Sequence, residues 1–207
     1  MKTIIEGKTA EVTEKKSRFI ANIFYVENVT EADEKIKQIN KKYYDAKHNC
    51  YAYIVDGIEK CSDDGEPSKT AGAPMLDILK KNQFTNVLVI VTRYFGGILL
   101  GTGGLTRAYS NTALASIENG KIIEVENGLQ VSLEIEYSEN EKFKYYCEKN
   151  NIKIVETKYS ENIIQKIELN EEEYNKLISK NMEINRQLPF KIKELGILCR
   201  KFIEKVQ

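Results

Sequence analysis

Three stretches of this 207-residue chain gather side chains able to do chemistry. Ser62-Asp-Asp-Gly-Glu66 places Asp63, Asp64 and Glu66 within four positions, enough carboxylate to hold a divalent cation, act as acid and base, or pair with Arg93 or Arg107. It lacks the alternating ligands and distant Glu of a calcium loop. Its turn-forming residue types favour carboxylates that accept from amides of their own loop, including those of Thr70 to Gly72.

The second stretch, NVLVIVTRYFGGILLGTGGLTRAY from Asn86 to Tyr109, carries Gly96, Gly97, Gly101, Gly103 and Gly104 between Arg93 and Arg107. Glycine forfeits contacts and adds chain entropy, so the segment needs positive φ angles or close approach by another group. Two readings stand. One is a tight strand-to-helix turn; the other is an anion site on the amides of Thr102 to Leu105, which open a helix at its positive end. GTGGLT has no Gly-Lys-Ser/Thr ending, and Thr106 stands where a dinucleotide fingerprint wants glycine. Guanidinium forks at Arg93 and Arg107 suit a phosphate, and an aromatic can stack a base or a partner's side chain. Strand alternation puts Arg93 and Phe95 on one side and Tyr94 on the other, so at most one of these aromatics joins Arg93.

The third is His48 with Cys50, whose side chains share one side of a strand. No orienting group or oxyanion hole accompanies them, so His48 is kept as a binding residue and no catalytic residue is assigned.

These residues need a frame to hold them. Thr3 to Val12 and Arg18 to Val26 alternate as strands of a hairpin; Thr30 and Asp33 bracket a helix start with Ala32, Ile36 and Ile39 at helical spacing. Asn49 to Asp56 reads as a strand, Cys61 to Ala73 as a loop, and Pro74 to Lys81 as a short helix. Val87 to Val91 is a continuous apolar run, the mark of a strand covered on both faces. From Gly103 to Glu118 a helix presents Leu105, Ala108, Tyr109, Thr112, Ala113, Ser116 and Ile117 on one face.

Near Asn127-Gly128 the composition changes, and the domain boundary is placed there: 1–127, then 128–207. The second part reads as strand, helix, strand, strand, helix, strand, with Ser138 and Glu141 capping the first helix, Asn170 capping the second and Phe190 to Phe202 as the last strand. That order, βαββαβ, is ferredoxin-like and names no function by itself.

Lys plus Arg equals Asp plus Glu at 31 each, so bulk charge gives no support to duplex DNA binding. Four cysteines without paired spacing and a single histidine give no zinc site, and no metal or cofactor is expected. No stretch has the length of a membrane helix or a signal peptide, which places the chain in the cytoplasm with its cysteines reduced.

Taken together, H48-N-C-Y-A-Y53, S62-D-D-G-E-P-S-K-T-A-G-A-P74 and V91-T-R-Y-F-G-G-I-L-L-G-T-G-G-L-T-R-A-Y109 resemble the IMPACT/YigZ family, with a tail similar to the smaller C-terminal domain of its bacterial members. The resemblance implies an α+β protein of two two-layer α/β sandwiches. The first would be similar to a domain of a ribosomal protein and of translocation GTPases, the second ferredoxin-like. Eukaryotic relatives restrain a starvation-activated kinase of translation initiation by competing for its activator, but they carry an additional N-terminal interaction domain with no counterpart in this sequence, so that partner is not carried over. Members often carry a lysine where this chain has Leu99 and a glycine where it has Lys69. Loss of the cation at Leu99 weakens a phosphate site unless Lys69 restores one.

The leading expectation is a non-enzymatic protein that binds RNA, the ribosome or a translation-associated protein through the SDDGEP and glycine-rich loops. A small-molecule enzyme or phosphate-ligand binder with its anion on Thr102 to Leu105 is the alternative, and a protein-only interaction module is the third.

Overall fold

The hairpin expected at the N-terminus breaks at Gly7, where an added Cβ would lie 1.8 Å from the Ile23 carbonyl oxygen. In the computed structural model, which describes residues 1–182, 190 and 192–204, the first strand is therefore two, β1 (Lys2–Glu6) and β2 (Ala10–Glu14). β2 turns at Lys15 and Lys16, both at positive φ, into β3 (Ser17–Tyr25). β1 leaves that hairpin and pairs with the start of β7 (Lys121–Ile135), matching Lys2 with Glu124.

The chain divides into two compact units, Met1–Glu124 and Val125–Gln207. The division falls inside β7. Asn127 and Gly128 are strand residues and not a turn, and Gly128 is required because a Cβ there would lie 2.6 Å from the Ile203 side chain.

In the first unit five antiparallel strands run in the order β2-β3-β6-β4-β5, with β4 at His48–Val55, β5 at Ile58–Ser62 and β6 at Val87–Tyr94. β5 ends inside the expected loop, at Cys61 and Ser62, and its first three residues fall between the expected strand and that loop. It is an exposed edge strand without an apolar pattern, joined to β4 through Asp56 and Gly57 at positive φ, an Asp-Gly hairpin turn.

β6 is buried throughout its apolar run, and its neighbours show why. One sheet face, with Cys50, Ala52, Ile54, Val87, Val89 and Val91, packs on α2 (Gly72–Lys81) and α3 (Gly101–Asn119). The other, with Tyr53, Val55, Leu88 and Ile90, packs on α1 (Val29–Lys42) through Ala32, Ile36 and Ile39. Helices thus cover both faces, and the two-layer expectation for this unit is corrected to three layers, as the continuous apolar run of β6 requires.

The buried face of α3 consists of the seven residues its spacing indicates, Leu105 through Ile117. α1 starts earlier than expected. Asn28 accepts from the Glu31 amide at 2.9 Å while Glu31 accepts from the Glu27 amide at 2.8 Å, so the cap lies two residues before Thr30.

The second unit follows the order β7, α4 (Asn140–Lys149), β8 (Lys153–Tyr159), β9 (Ile163–Asn170), α5 (Glu171–Met182) and β10 (Ile192–Glu204). Its strands lie β10-β7-β9-β8, all antiparallel. Leu129, Val131, Leu133, Ile135, Ile163 and Ile167 share one core with Phe143 of α4 and Leu177 of α5. Asn170 and Glu173 cap α5 reciprocally, whereas Ser138 falls in a 3₁₀ turn over Tyr137–Glu139 and makes no cap. Lys191, within the expected last strand, lies outside the described residues.

Candidate functional site

The sheet register assembles the site. His48 opens β4 opposite Arg93 near the end of β6, and Arg93 is also paired with Phe19 of β3. Arg93 therefore emerges beside the loop after β5 and the loop after β6, and the two loops meet there. Together they line one cleft of about 480 Å³. Its walls are His48, Glu66, Pro67 and Arg93 on one side and Phe95, Leu99, Leu100, Gly101, Thr102 and Leu105 on the other, with Lys47 and Gly65 completing the lining.

The acidic loop uses its carboxylates inwardly. Asp63 accepts from the amides of Lys69 at 2.8 Å, Ala71 at 2.9 Å and Gly72 at 2.8 Å. Partial burial works to raise its pKa, and the three amide donors outweigh that, so the carboxyl sits below its ordinary value. Asp64 accepts from the Asn49 amide at 2.6 Å, and its own carbonyl receives His48 Nδ1 at 2.6 Å. A carbonyl only accepts, so Nδ1 carries a proton, and in the neutral ring the lone pair belongs to Nε2.

Glu66 alone of the three points into the interior. Its Oε1 accepts from Arg93 Nη1 at 2.6 Å and from the Tyr109 hydroxyl at 2.9 Å, and stands 3.8 Å from His48 Nε2. Behind it Cys50 Sγ lies 3.0 Å from the Asp63 carbonyl and 3.4 Å from the Tyr109 hydroxyl. Burial pushes the Cys50 thiol strongly up, helped by the neighbouring carboxylates, and burial does the same to Tyr109. Cys50 is thus a protonated, fully buried thiol, the opposite of an activated nucleophile.

Arg93 is 6% exposed, yet among the described residues its guanidinium makes a single hydrogen bond. Nε is buried without a partner. The group stacks between aromatic rings, 5.6 Å from the centroid of Phe19 and 5.5 Å from that of Phe95.

The glycines divide by role. Gly96 donates its amide to Ser17 Oγ at 3.1 Å, and a Cβ there would meet the Lys16 backbone at 2.0 Å. Gly97 and Gly101 take positive φ, while Gly103 has no atom within 4 Å of a would-be Cβ. Gly104 sits against Leu100 and, like Gly96, Gly97 and Gly103, does not line the cleft. α3 starts at Gly101 with no side-chain cap and no acidic residue in its first turn.

Two of the expected site residues point elsewhere. Tyr94 faces the other side of the sheet, donating to Asp45 at 2.8 Å with Arg18 over its ring. Arg107 lies about 200° round the helix from Leu105 and is exposed beside a neighbouring depression with Val12, Glu14, Lys15 and Asn111, which shares Leu100 with the cleft. Lys69 does not line the cleft either; the lining cation besides Arg93 is Lys47. The cleft also enlists Pro67, Leu99 and Leu100, which composition could not mark as site residues, and Phe95, which strand alternation had placed beside Arg93.

A two-unit α/β chain with a cleft in its first unit, formed where an acidic loop and a glycine-rich loop meet over a buried Glu-Arg pair, defines the class of protein. Residues 15–117 match the Impact N-terminal domain, and residues 133–180 match a domain of unknown function, DUF1949. The IMPACT family member YvyE of Bacillus subtilis (strain 168) is 40% identical over 171 residues, covering 70% of this chain and 79% of that protein. An IMPACT family member of Haemophilus influenzae is 39% identical over 157 residues, covering 72% and 75%. The crystal structure of a hypothetical protein superposes with a TM-score of 0.64 at 26% identity over 95% of each chain. The chain belongs to the IMPACT family.

Proposed function

We propose that this protein acts by binding and not by catalysis, and that its cleft takes a component of the translation apparatus. Family membership supports the connection to translation. The observation that carries the binding reading is the convergence of the two loops on one cleft, whose mouth exposes Phe95 at 46% and Leu99 at 82%. Large apolar side chains held open to water beside a polar floor favour insertion of a partner group.

A protein segment suits the lining better than RNA does. Arg93 is already paired with Glu66, which leaves Lys47 as the unpaired lining cation among the described residues, too little for a phosphate backbone. Catalysis is disfavoured by the use of Asp63 and Asp64 in backbone contacts and by the protonated Cys50. The finer kinships, a ribosomal-protein-like first unit and a ferredoxin-like second unit, belong to the same proposal. The strand order β10-β7-β9-β8 supports the latter.

Co-sedimentation with purified bacterial ribosomes at low salt tests the reading. Wild-type protein is expected in the ribosomal pellet, and the double variant Phe95→Ser, Leu99→Asp in the supernatant. Wild type that stays in the supernatant, or a double variant that pellets equally well, overturns it.

A further inference from the structure

We infer that the cleft binds a carboxylate attached to an apolar group, with the anion between Arg93 and the first turn of α3 and the apolar part against Phe95, Leu99 and Leu105. This rests on the reading of the cleft as a binding site, though not on the connection to translation.

Two independent features put unspent donors at one end of the cleft. α3 is 19 residues long, and its opening amides receive neither a side-chain cap nor a first-turn carboxylate. Gly101 and Thr102, where these amides begin, line the cleft. Arg93 lines the same space; its side chain is 7% exposed and spends one of five N–H donors on Glu66, and among the described residues its buried Nε has no partner. A guanidinium with donors to spare in so dry a position is costly unless an acceptor arrives.

The protein's own acceptors are committed elsewhere. Glu66 Oε1 serves Arg93 and Tyr109, Asp63 serves three amides, and Asp64 serves Asn49. An incoming anion therefore meets these donors with Glu66, the acidic-loop carboxylate that lines the cleft, already paired to Arg93.

Charge and shape narrow the class. Arg93 and Glu66 offset each other, so Lys47 and the helix end supply the net positive field, which matches one negative charge and falls short of a polyphosphate. Pro67, Phe95, Leu99, Leu100 and Leu105 make the remaining wall apolar, which inorganic phosphate cannot use. A planar carboxylate also fits the fork of a guanidinium. Such a group comes from the C-terminal residue of a polypeptide or from a free organic acid.

Titrating the isotope-labelled full chain with N-acetyl-leucine, N-acetyl-leucinamide, 4-methylpentanoate and inorganic phosphate, followed by amide resonances, tests the inference. N-acetyl-leucine is expected to shift Thr102, Gly103 and Leu105 with a dissociation constant on the order of 1 mM, and the carboxamide to bind at least about tenfold more weakly. Lys47→Glu and Leu99→Asp, both at exposed positions, should each weaken N-acetyl-leucine about tenfold with an unchanged melting temperature. N-acetyl-leucine binding tighter than 4-methylpentanoate assigns a chain terminus, and equal binding assigns a free acid. Equal binding of acid and carboxamide, no shift with either acid at about 10 mM, or a response to phosphate alone overturns the inference. If the acids fail while Phe95→Ser, Leu99→Asp still abolishes ribosome association, this inference falls and the proposed function stands.

Discussion

The carboxylate of Glu66 and the guanidinium of Arg93 meet at 2.6 Å with side-chain exposures of 3% and 7%, joining the acidic loop to the end of the central strand. Removing one partner of such a pair strands the other charge in a dry place. Glu66→Ala is expected to cost about 3–5 kcal/mol in urea denaturation. Glu66→Gln, which keeps an acceptor, should cost about 1.5–3 kcal/mol. Equal losses would mean that the neutral acceptor kept by glutamine contributes nothing beside Arg93.

Asp63 gives the fold an acid limit. Its carboxyl is held below the ordinary value of 3.8 because three amide donors outweigh the opposing effect of burial. A depressed carboxyl stabilises the folded state above its unfolded pKa, and that contribution fades as pH falls through the folded one. Asp63→Asn should therefore destabilise by about 1–3 kcal/mol at neutral pH. The gap to wild type should narrow as pH is taken below 3.8, read by denaturant midpoints across the range.

Glycines of one loop should answer differently to alanine. Gly96→Ala drives a methyl into the Lys16 backbone and is expected to cost roughly 2–3 kcal/mol. Gly103→Ala enters open space in a helix and should stabilise by about 0.5–1 kcal/mol. Thermal melts of the two variants should move in opposite directions.

Lys69 sits at a φ of 63°, a left-handed conformation that costs a side chain about 1–2 kcal/mol. A glycine at this position would remove that strain. Lys69→Gly is expected to raise stability by about 0.5–1 kcal/mol, since its amide still serves Asp63 and glycine adds some chain entropy. A lower melting temperature would contradict this.

Thiol accessibility tests the interior. Cys61 and Cys199 are exposed; Cys50 and Cys147 are buried, with burial pushing Cys147 up to about 12. A thiol reagent on native protein should label Cys61 and Cys199 promptly, and Cys50 and Cys147 only after denaturant is added. Rapid native labelling of Cys50 would contradict its place behind Glu66.

What the sequence made legible follows from the range of each interaction. The face of α3 from Leu105 to Ile117 repeats every three or four residues, so its burial is written locally. The double-sided burial of β6 was likewise visible in VLVIV, though which helix would cover the second face was not. β5 escaped because IEKCS is an exposed edge whose only cue is the Asp56-Gly57 turn. The split of β1 from β2 depends on Gly7 meeting Ile23, a contact absent from any window of sequence.

The site divides in the same way. Strand alternation separates Arg93 and Phe95 from Tyr94, and helical spacing likewise sets Arg107 about 200° round α3 from Leu105. Glu66 is set apart from Asp63 and Asp64 only by which neighbours the folded loop offers each carboxylate.

Photo-crosslinking tests the central claim most directly, because it reports contact at a chosen position. Full-length protein carrying Leu99→p-benzoylphenylalanine or Arg107→p-benzoylphenylalanine is irradiated with purified ribosomes. The account predicts an adduct to a ribosomal component from position 99, at the mouth of the cleft, and none from position 107, which is also exposed but outside it. An adduct from position 107 alone, or from neither, would contradict it.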